Sequence, residues 1–356
     1  MRQKINKVVC IRVDGSVSIG TGHVVRCLAL ADELSHRGFK TIFCTRDYDS
    51  RLIEKIKSRG FVLSIIPETL SMEEDVKCFT MLSKKHNAEV VITDNYHFTD
   101  DYLKYLRQNL RVIVSIDDIA ETFFCSDILI NQNINATKEI YHGKISNGTK
   151  LFLGPRYAIL GSEFCSYHSL EREFDTVKKV LVTLGGVDFE NQTLSVLRAL
   201  DKVEEDFSVT VVLGVSNPHM EELVSFAESS QRAIMVLVNV NNMAELMYNA
   251  DIAISASGTT SWELCCVGLP IIMMALADNQ RNIGERLSEA GISINLGWFN
   301  DVTETMIQES VGSLISDQKL RVSMSARGKT LVDGNGAARI VDEIEMLIGS
   351  GMRNHN

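Results

Sequence analysis

The chain has no run of basic residues. Of its 356 residues, 36 are Lys or Arg and 46 are Asp or Glu, a formal net charge of −10. Binding along a nucleic-acid backbone needs clustered cations, so a nucleic-acid partner is not expected. No CxxC pair, HExxH motif or Cys/His cluster is present, so neither a dithiol centre nor a metal is expected. The eight cysteines, at 10, 27, 44, 78, 125, 165, 265 and 266, are scattered and mostly lie in apolar runs. They read as reduced core residues of a cytosolic protein. No apolar run exceeds strand length, so no membrane span is expected. The polar residues 1–7 lead straight into a strand-like run rather than a signal peptide. The expectation is a cytoplasmic protein with no cofactor, no membrane partner and an open oligomeric state, a monomer being the simplest case.

What is present is ordinary for a globular protein: 45% apolar and 23% charged residues, with a length suited to two domains. An acidic chain can still hold a diphosphate if local donors, such as helix N-termini and one or two placed arginines, do the work. Short β-branched runs alternate with longer amphipathic stretches. Strands are expected at 8–13, 41–45, 61–66, 89–93 and 111–116, with helices at 22–37, 50–59, 72–85 and 99–108. The rhythm breaks over 132–175 and restarts with strands at 179–184, 208–213, 233–238, 251–255 and 270–274. Helices are expected between these strands and then near 279–290, 302–316 and 337–348. Strands spaced by helices of this length make βαβ units and a parallel sheet. The expected fold is α/β: two Rossmann-like, doubly wound halves facing a cleft, the GT-B architecture. The expected division is 1–140, a linker at 141–175, and 176–356.

Four places could carry chemistry. The first runs from Arg12 and Asp14 to Gly20, Gly22, His23 and Arg26. As a dinucleotide fingerprint it is poor, because the third glycine position is Val25 and the next strand ends in Thr45-Arg46. His23 is more informative. It falls in the first turn of a helix, where the dipole disfavours an imidazolium, so the ring is read as a proton acceptor. A lone His beside a turn is more often structural, and the company of Arg12, Asp14 and Arg26 tips the reading toward function. The second place is Ser257-Gly258-Thr259-Thr260, between a strand and a helix, with Glu263 one turn on. Unpaired helix-terminal amides there suit a pyrophosphate. The competing reading is that Thr260-x-x-Glu263 is a capping box and that Ser257 and Thr259 are caps. The third is Gly185-Gly186-Val187-Asp188, a close-approach loop or an ordinary turn. The fourth is Asn279-Gln280, a sugar or phosphate contact or a helix start. In the first half Asp94, Tyr96, Asp117 and Asp118 end strands. Asp118 is read as a cap or loop brace, and His97, His142 and His168 as structural.

Together these segments resemble the UDP-sugar hydrolases of pseudaminic acid biosynthesis and the spore-coat polysaccharide proteins related to them. The resemblance rests on Arg12 to Arg26, Asp94-Asn95-Tyr96, Ile116-Asp117-Asp118, Asn131-Gln132-Asn133, Leu153-Gly154-Pro155, Gly185 to Asp188, Ser257 to Glu263 and Asn279-Gln280, in family order. It implies a GT-B fold similar to the peptidoglycan glycosyltransferase MurG. It also implies metal-independent, inverting hydrolysis of UDP-2,4-diacetamido-2,4,6-trideoxy-β-L-altropyranose with His23 as base. UDP would lie on the second half, its diphosphate on 257–260 and its ribose on Glu263. Arg12, Asp14, Gly22, Arg26, Asp94, Tyr96, Gly185, Gly186, Asn279 and Gln280 would complete the substrate contacts. One departure is Gly161, where the family commonly carries Arg. The alternatives are a GT-B glycosyltransferase using a UDP-sugar donor and a non-catalytic UDP-sugar binder.

Overall fold

The computed structural model describes residues 7–15, 22–46 and 50–349. The apolar run Val8–Val13 forms strand β1, with every side chain buried. A strand buried on both faces belongs in a parallel sheet covered by helices on each side. The chain continues through α1 (Gly22–His36), β2 (Lys40–Arg46), α2 (Ser50–Ser58), β3 (Val62–Ile66), α3 (Met72–Lys85) and β4 (Val90–Asp94). Then come α4 (Asp100–Asn109), β5 (Val112–Ile116), β6 (Ile128–Asn131) and β7 (Lys150–Leu153). These seven strands lie in the order β3-β2-β1-β4-β5-β6-β7, all parallel. The winding reverses between β1 and β4, where Val13 pairs with Asp94. At such a switch point the loops leaving adjacent strands part, and the crevice at their carboxyl ends is where ligands bind.

Strand alternation sorts the side chains into two layers. Val9, Ile11, Val13, Val90 and Ile92 face α1, which lays Val24, Cys27, Leu28, Leu30, Ala31 and Leu34 against them. Val8, Cys10 and Val91 face the other way, toward Phe79 of α3 and Leu103 and Leu106 of α4. Each fully buried aliphatic side chain here contributes ~1.5–3 kcal/mol. α1 stops at Gly38, whose φ of +80° suits a residue without a Cβ, and the Phe39 N–H then donates back to Leu34 O at 2.9 Å.

The second run comprises α5 (Ser162–His168), β8 (Lys179–Thr183), α6 (Gln192–Asp201), β9 (Ser208–Leu213), α7 (Met220–Ser229), β10 (Ile234–Val238) and α8 (Met243–Asn249). It goes on through β11 (Ile252–Ala256), α9 (Thr260–Val267), β12 (Ile271–Ala275), α10 (Asp278–Glu289), β13 (Ser293–Trp298), α11 (Glu304–Ser316) and α12 (Gln318–Leu331). Its six strands run β10-β9-β8-β11-β12-β13, and the switch point falls between β8 and β11. Val180, Val182, Ile252, Ile254 and Ile272 pack with Leu197, Leu200, Val311 and Leu314 from α6 and α11.

The chain divides into two compact units, Met1–Ser162 with Asn335–Asn356, and Glu163–Gly334. This differs from the division expected from sequence. Helix α13 (Gly336–Gly349) was expected with the second half but joins the first. Its Ala337, Ile340, Val341, Ile344 and Ile348 close the same core as α1. Gly336 lies so near Ala158 that a Cβ there would come within 2.1 Å of the Ala158 carbonyl oxygen. The stretch expected as a linker contributes β7, an edge strand of the first sheet. β6, β7, β13 and α12 were not read from the sequence. The first two are four residues each, too short to show a period. α12 buries Arg321, Ser325 and Gly328 alongside Met324, so it lacks the apolar stripe that marks a helix. Among the described residues no helix is long and apolar enough to cross a membrane, and no cluster of His, Cys, Asp or Glu could hold a metal ion. Gly20, Thr21 and residues 350–356 lie outside the described residues.

Candidate active site

In the first unit, three strand ends and one helix converge. Asp94 is the last residue of β4, and it shares its sheet face with Val90, Ile92 and α1. His23 is the second residue of α1, so its ring meets Asp94 directly: Nδ1 lies 2.6 Å from Asp94 Oδ1. His23 is 5% exposed and Asp94 fully buried. A carboxylate at that distance favours the form in which Nδ1 carries a hydrogen, and in the neutral ring of that form the lone pair lies on Nε2. Asp94, which no local sequence signal pairs with His23, adds to the helix dipole in orienting the ring.

Arg26 stands one helical turn beyond His23 on the same face. Its Nε and Nη2 donate to the two oxygens of Asp94 at 2.6 Å each. Its Nη1 and Nη2 donate to Asp118 at 2.9 Å each, and Nη2 is 3.0 Å from His23 Nδ1. Burial opposes ionisation of Asp94, but Arg26 and the His23 ring hold its carboxyl well below the usual carboxylate range. Tyr96 completes the group. Its ring meets the His23 ring edge-on, centroids 4.5 Å apart, and its hydroxyl donates to Asp118 at 3.1 Å. Asn133 Nδ2 also donates to Asp118, at 3.3 Å.

Asp118 is therefore a member of this cluster, and the loop-bracing role expected of it belongs to Asp117. The Asp117 carboxylate accepts from the N–H groups of Ile119 and Ala120 and from the Tyr141 hydroxyl. Burial pushes the Asp117 carboxyl up.

Arg12 and Asp14 form a separate group and do not join His23. Arg12 points to the opposite face of the sheet and is 1% exposed. It donates to Asp14 at 2.5 and 2.8 Å and to Asp75 of α3 at 3.1 and 2.7 Å. Arg46, Tyr102 and Asn95 close the network, through Asp75, Asp75 and Asp14 respectively. Both side chains are buried in this ion-pair network. Asp75 was missed altogether, since nothing local in the sequence marks it. Gly22 is the first residue of α1.

In the second unit the expected residues sit at carboxyl ends of β8, β11 and β12. Ser257 follows β11 and is fully buried. Its backbone N–H and its hydroxyl both donate to Met274 O, at 3.0 and 3.2 Å. Ser261 N and Trp262 N donate to the carbonyls of Gly258 and Thr259. The N–H groups of Gly258, Thr259 and Thr260 thus head α9 with no backbone acceptor among the described residues. Thr259 occupies the N-cap and makes no side-chain cap bond. Ser261 Oγ and Trp262 Nε1, in the same turn, are buried without a hydrogen-bond partner. Glu263 is half-buried in that first turn.

Gln280 braces this region. Its Oε1 accepts from Leu276 N at 2.9 Å, and its Nε2 would be 3.4 Å from a Cβ placed on Gly258. Asn279 beside it is exposed. Gly185 leaves β8 with φ +94°, and Gly186 packs so close to Gly214 that a Cβ on Gly214 would come within 2.1 Å of the Gly186 oxygen. Asp188 caps α6 through Gln192 N and Thr193 N, which fixes the far end of the loop.

Comparison with known proteins adds to this geometry. Residues 179–343 match the glycosyltransferase family 28 C-terminal domain. The spore coat polysaccharide biosynthesis protein SpsG of Bacillus subtilis is 27% identical over 95% of this chain and 98% of its own length. The UDP-2,4-diacetamido-2,4,6-trideoxy-beta-L-altropyranose hydrolase of Campylobacter jejuni is 25% identical, covering 80% of this chain and 98% of its own. An uncharacterized protein of Methanocaldococcus jannaschii, MJ1062, is 28% identical over 83% of this chain, which spans only 62% of that relative. Acinetobacter baumannii MurG superposes with a TM-score of 0.68 at 14% identity, covering 96% of this chain and 99% of MurG. The chain has the GT-B fold. The sequence reading of that fold holds, and the two parallel Rossmann-like sheets of the GT-B chain each carry their candidate residues at a switch point. The structure of S. aureus MnaA with UDP superposes with a TM-score of 0.66 at 14% identity, covering 98% of this chain and 99% of its own.

Proposed function

We propose that the protein is a UDP-sugar-processing enzyme and, more narrowly, that it removes UDP from a UDP-linked 2,4-diacetamido-2,4,6-trideoxyhexose with water as the acceptor. The observation that carries the reading is the His23–Asp94 pair, which leaves Nε2 of a nearly buried ring as the proton acceptor. In the proposed step His23 Nε2 takes a proton from water as the water oxygen bonds to the anomeric carbon. The bond from that carbon to the diphosphate oxygen breaks, its electron pair leaves with UDP, and the configuration inverts. Asp94 balances the imidazolium so formed, as a carboxylate does for a base of this kind. A positioned base is worth about 10²–10⁴-fold.

The leaving diphosphate needs fixed donors where its charge develops. The amides of Gly258, Thr259 and Thr260 at the head of α9 supply the donor chemistry a diphosphate requires. We assign Ser257 and Gln280 to holding that loop, Glu263 to the ribose hydroxyls, Gly185 and Gly186 to close backbone approach, and Asn279 and Tyr96 to further substrate contacts. The name of the Campylobacter relative supports the sugar, the sequence resemblance supports a place in pseudaminic acid biosynthesis, and the UDP in the MnaA structure supports the nucleotide. The reading assigns no step to a metal.

The family 28 match favours a second reading, transfer of the sugar to an acceptor other than water. The experiment that separates the two incubates the altro-configured UDP-sugar with the protein in EDTA and no acceptor, followed by phosphorus and proton NMR. Hydrolysis predicts UDP and a free inverted sugar. Intact substrate alongside measurable UDP binding would replace hydrolysis with transfer.

A further inference from the structure

We infer that Asp118 is a positioning residue that sets the tautomer of His23, acting through Arg26. The inference rests on the reading of His23 as base. Two groups compete for His23 Nδ1. Asp94 Oδ1, at 2.6 Å, calls for an N–H there, whereas Arg26 Nη2, at 3.0 Å, could donate only to a lone pair. The two outcomes place the lone pair on opposite ring nitrogens, and only one leaves Nε2 free to take a proton. Arg26 Nη2 has two hydrogens. One goes to Asp94 Oδ1 at 2.6 Å and the other to Asp118 Oδ2 at 2.9 Å. With both hydrogens committed, none remains for Nδ1, and the ring hydrogen settles on the Asp94 side. Asp118 thus withdraws the donor that would otherwise turn the base into its inactive tautomer.

The same arrangement accounts for Arg26. The guanidinium presents one fork to Asp94 and the other to Asp118 and is 4% exposed, so it serves the carboxylates rather than a substrate phosphate. With the ring neutral, one cation and two carboxylates leave the cluster at a formal charge of −1, which a proton on Nε2 cancels.

Nitrogen-15 histidine NMR reads the tautomer without turnover, and steady-state kinetics read its consequence. In the native protein His23 shows the Nδ1–H form. Asp118→Ala moves the ring toward the Nε2–H form and lowers kcat at least tenfold, with KM and UDP affinity within twofold. Asp118→Asn, which keeps an oxygen able to accept from Nη2, retains more of kcat than Asp118→Ala and serves as the folded control if the alanine variant melts early. An unchanged tautomer in Asp118→Ala, or in Asp118→Leu should the alanine variant not fold, overturns the inference, as does a loss shared equally by KM and UDP affinity, which would make Asp118 a ligand contact. Failure of the native protein to release UDP without an acceptor, with the tautomer shift intact, would sink the hydrolase reading and leave the tautomer control standing.

Discussion

His23 and Asp94 are 71 positions apart in the chain and 2.6 Å apart in the fold. The distance is set by backbone geometry. Asp94 ends β4 where it pairs with the end of β1, and α1 returns over the same face of the sheet.

Replacing His23 with Gln removes the proton acceptor and keeps a side chain of similar reach. Turnover should fall by about 10²–10⁴-fold, while UDP affinity, which we assign to the second unit, stays within twofold. Calorimetric titration with UDP and a coupled UDP-release assay check both halves. Near-native turnover would remove His23 as base.

Acid should unfold the first unit through its buried carboxylates. Against the cost of burial, Arg26 holds Asp94 low and Arg12 holds Asp75 low. A carboxyl depressed in the folded state stabilises it above the unfolded value of about 3.9, and that stabilisation drains away as pH falls through the folded value. Stability measured by urea unfolding should therefore be maintained down to about pH 4 and decline below it. The Asp94→Asn variant should be less stable at neutral pH and show a shallower acid decline. Parallel acid limbs for the two proteins would refute the assignment.

Arg12 offers a contrast with Arg26. Arg12→Met leaves the Asp14 and Asp75 carboxylates, 3% and 0% exposed, without their main cation. Breaking a buried pair in this way costs about 3–5 kcal/mol. The variant should melt early while the folded fraction binds UDP normally. A large loss of UDP affinity with native stability would restore Arg12 as a ligand.

Glu263 stands in the first turn of α9, where no side-chain cap forms at Thr259. Glu263→Ala should weaken UDP binding by about tenfold, the effect of one charge-assisted hydrogen bond, and change the melting temperature little. A lower melting temperature at unchanged UDP affinity would assign Glu263 to the helix instead.

Much of the fold was legible because the sheets are parallel and buried, so strands appear as bare apolar runs between helices. The site was legible only in part. The glycines and His23 announce themselves locally, but which side chains meet follows from strand parity. Asp94 shares parity with Val90 and Ile92, and Asp118 continues the parity of Val114 and Ile116, all on the α1 side. Arg12 has the parity of Cys10 and goes to the other face. That rule, applied to the strand ends, separates Asp117 from Asp118 and Arg12 from Asp94. Asp75 lies beyond its reach, because it arrives on α3 from a distant turn of the chain.

Helix α13 has a consequence for biosynthesis. It supplies part of the core that α1 and the first sheet need, yet it begins at Gly336. The whole of Glu163–Gly334 is therefore made while the first unit is still missing a wall. During translation the second unit can fold first, although it comes later in the sequence. The layer that carries His23 lacks that wall until α13 has left the ribosome.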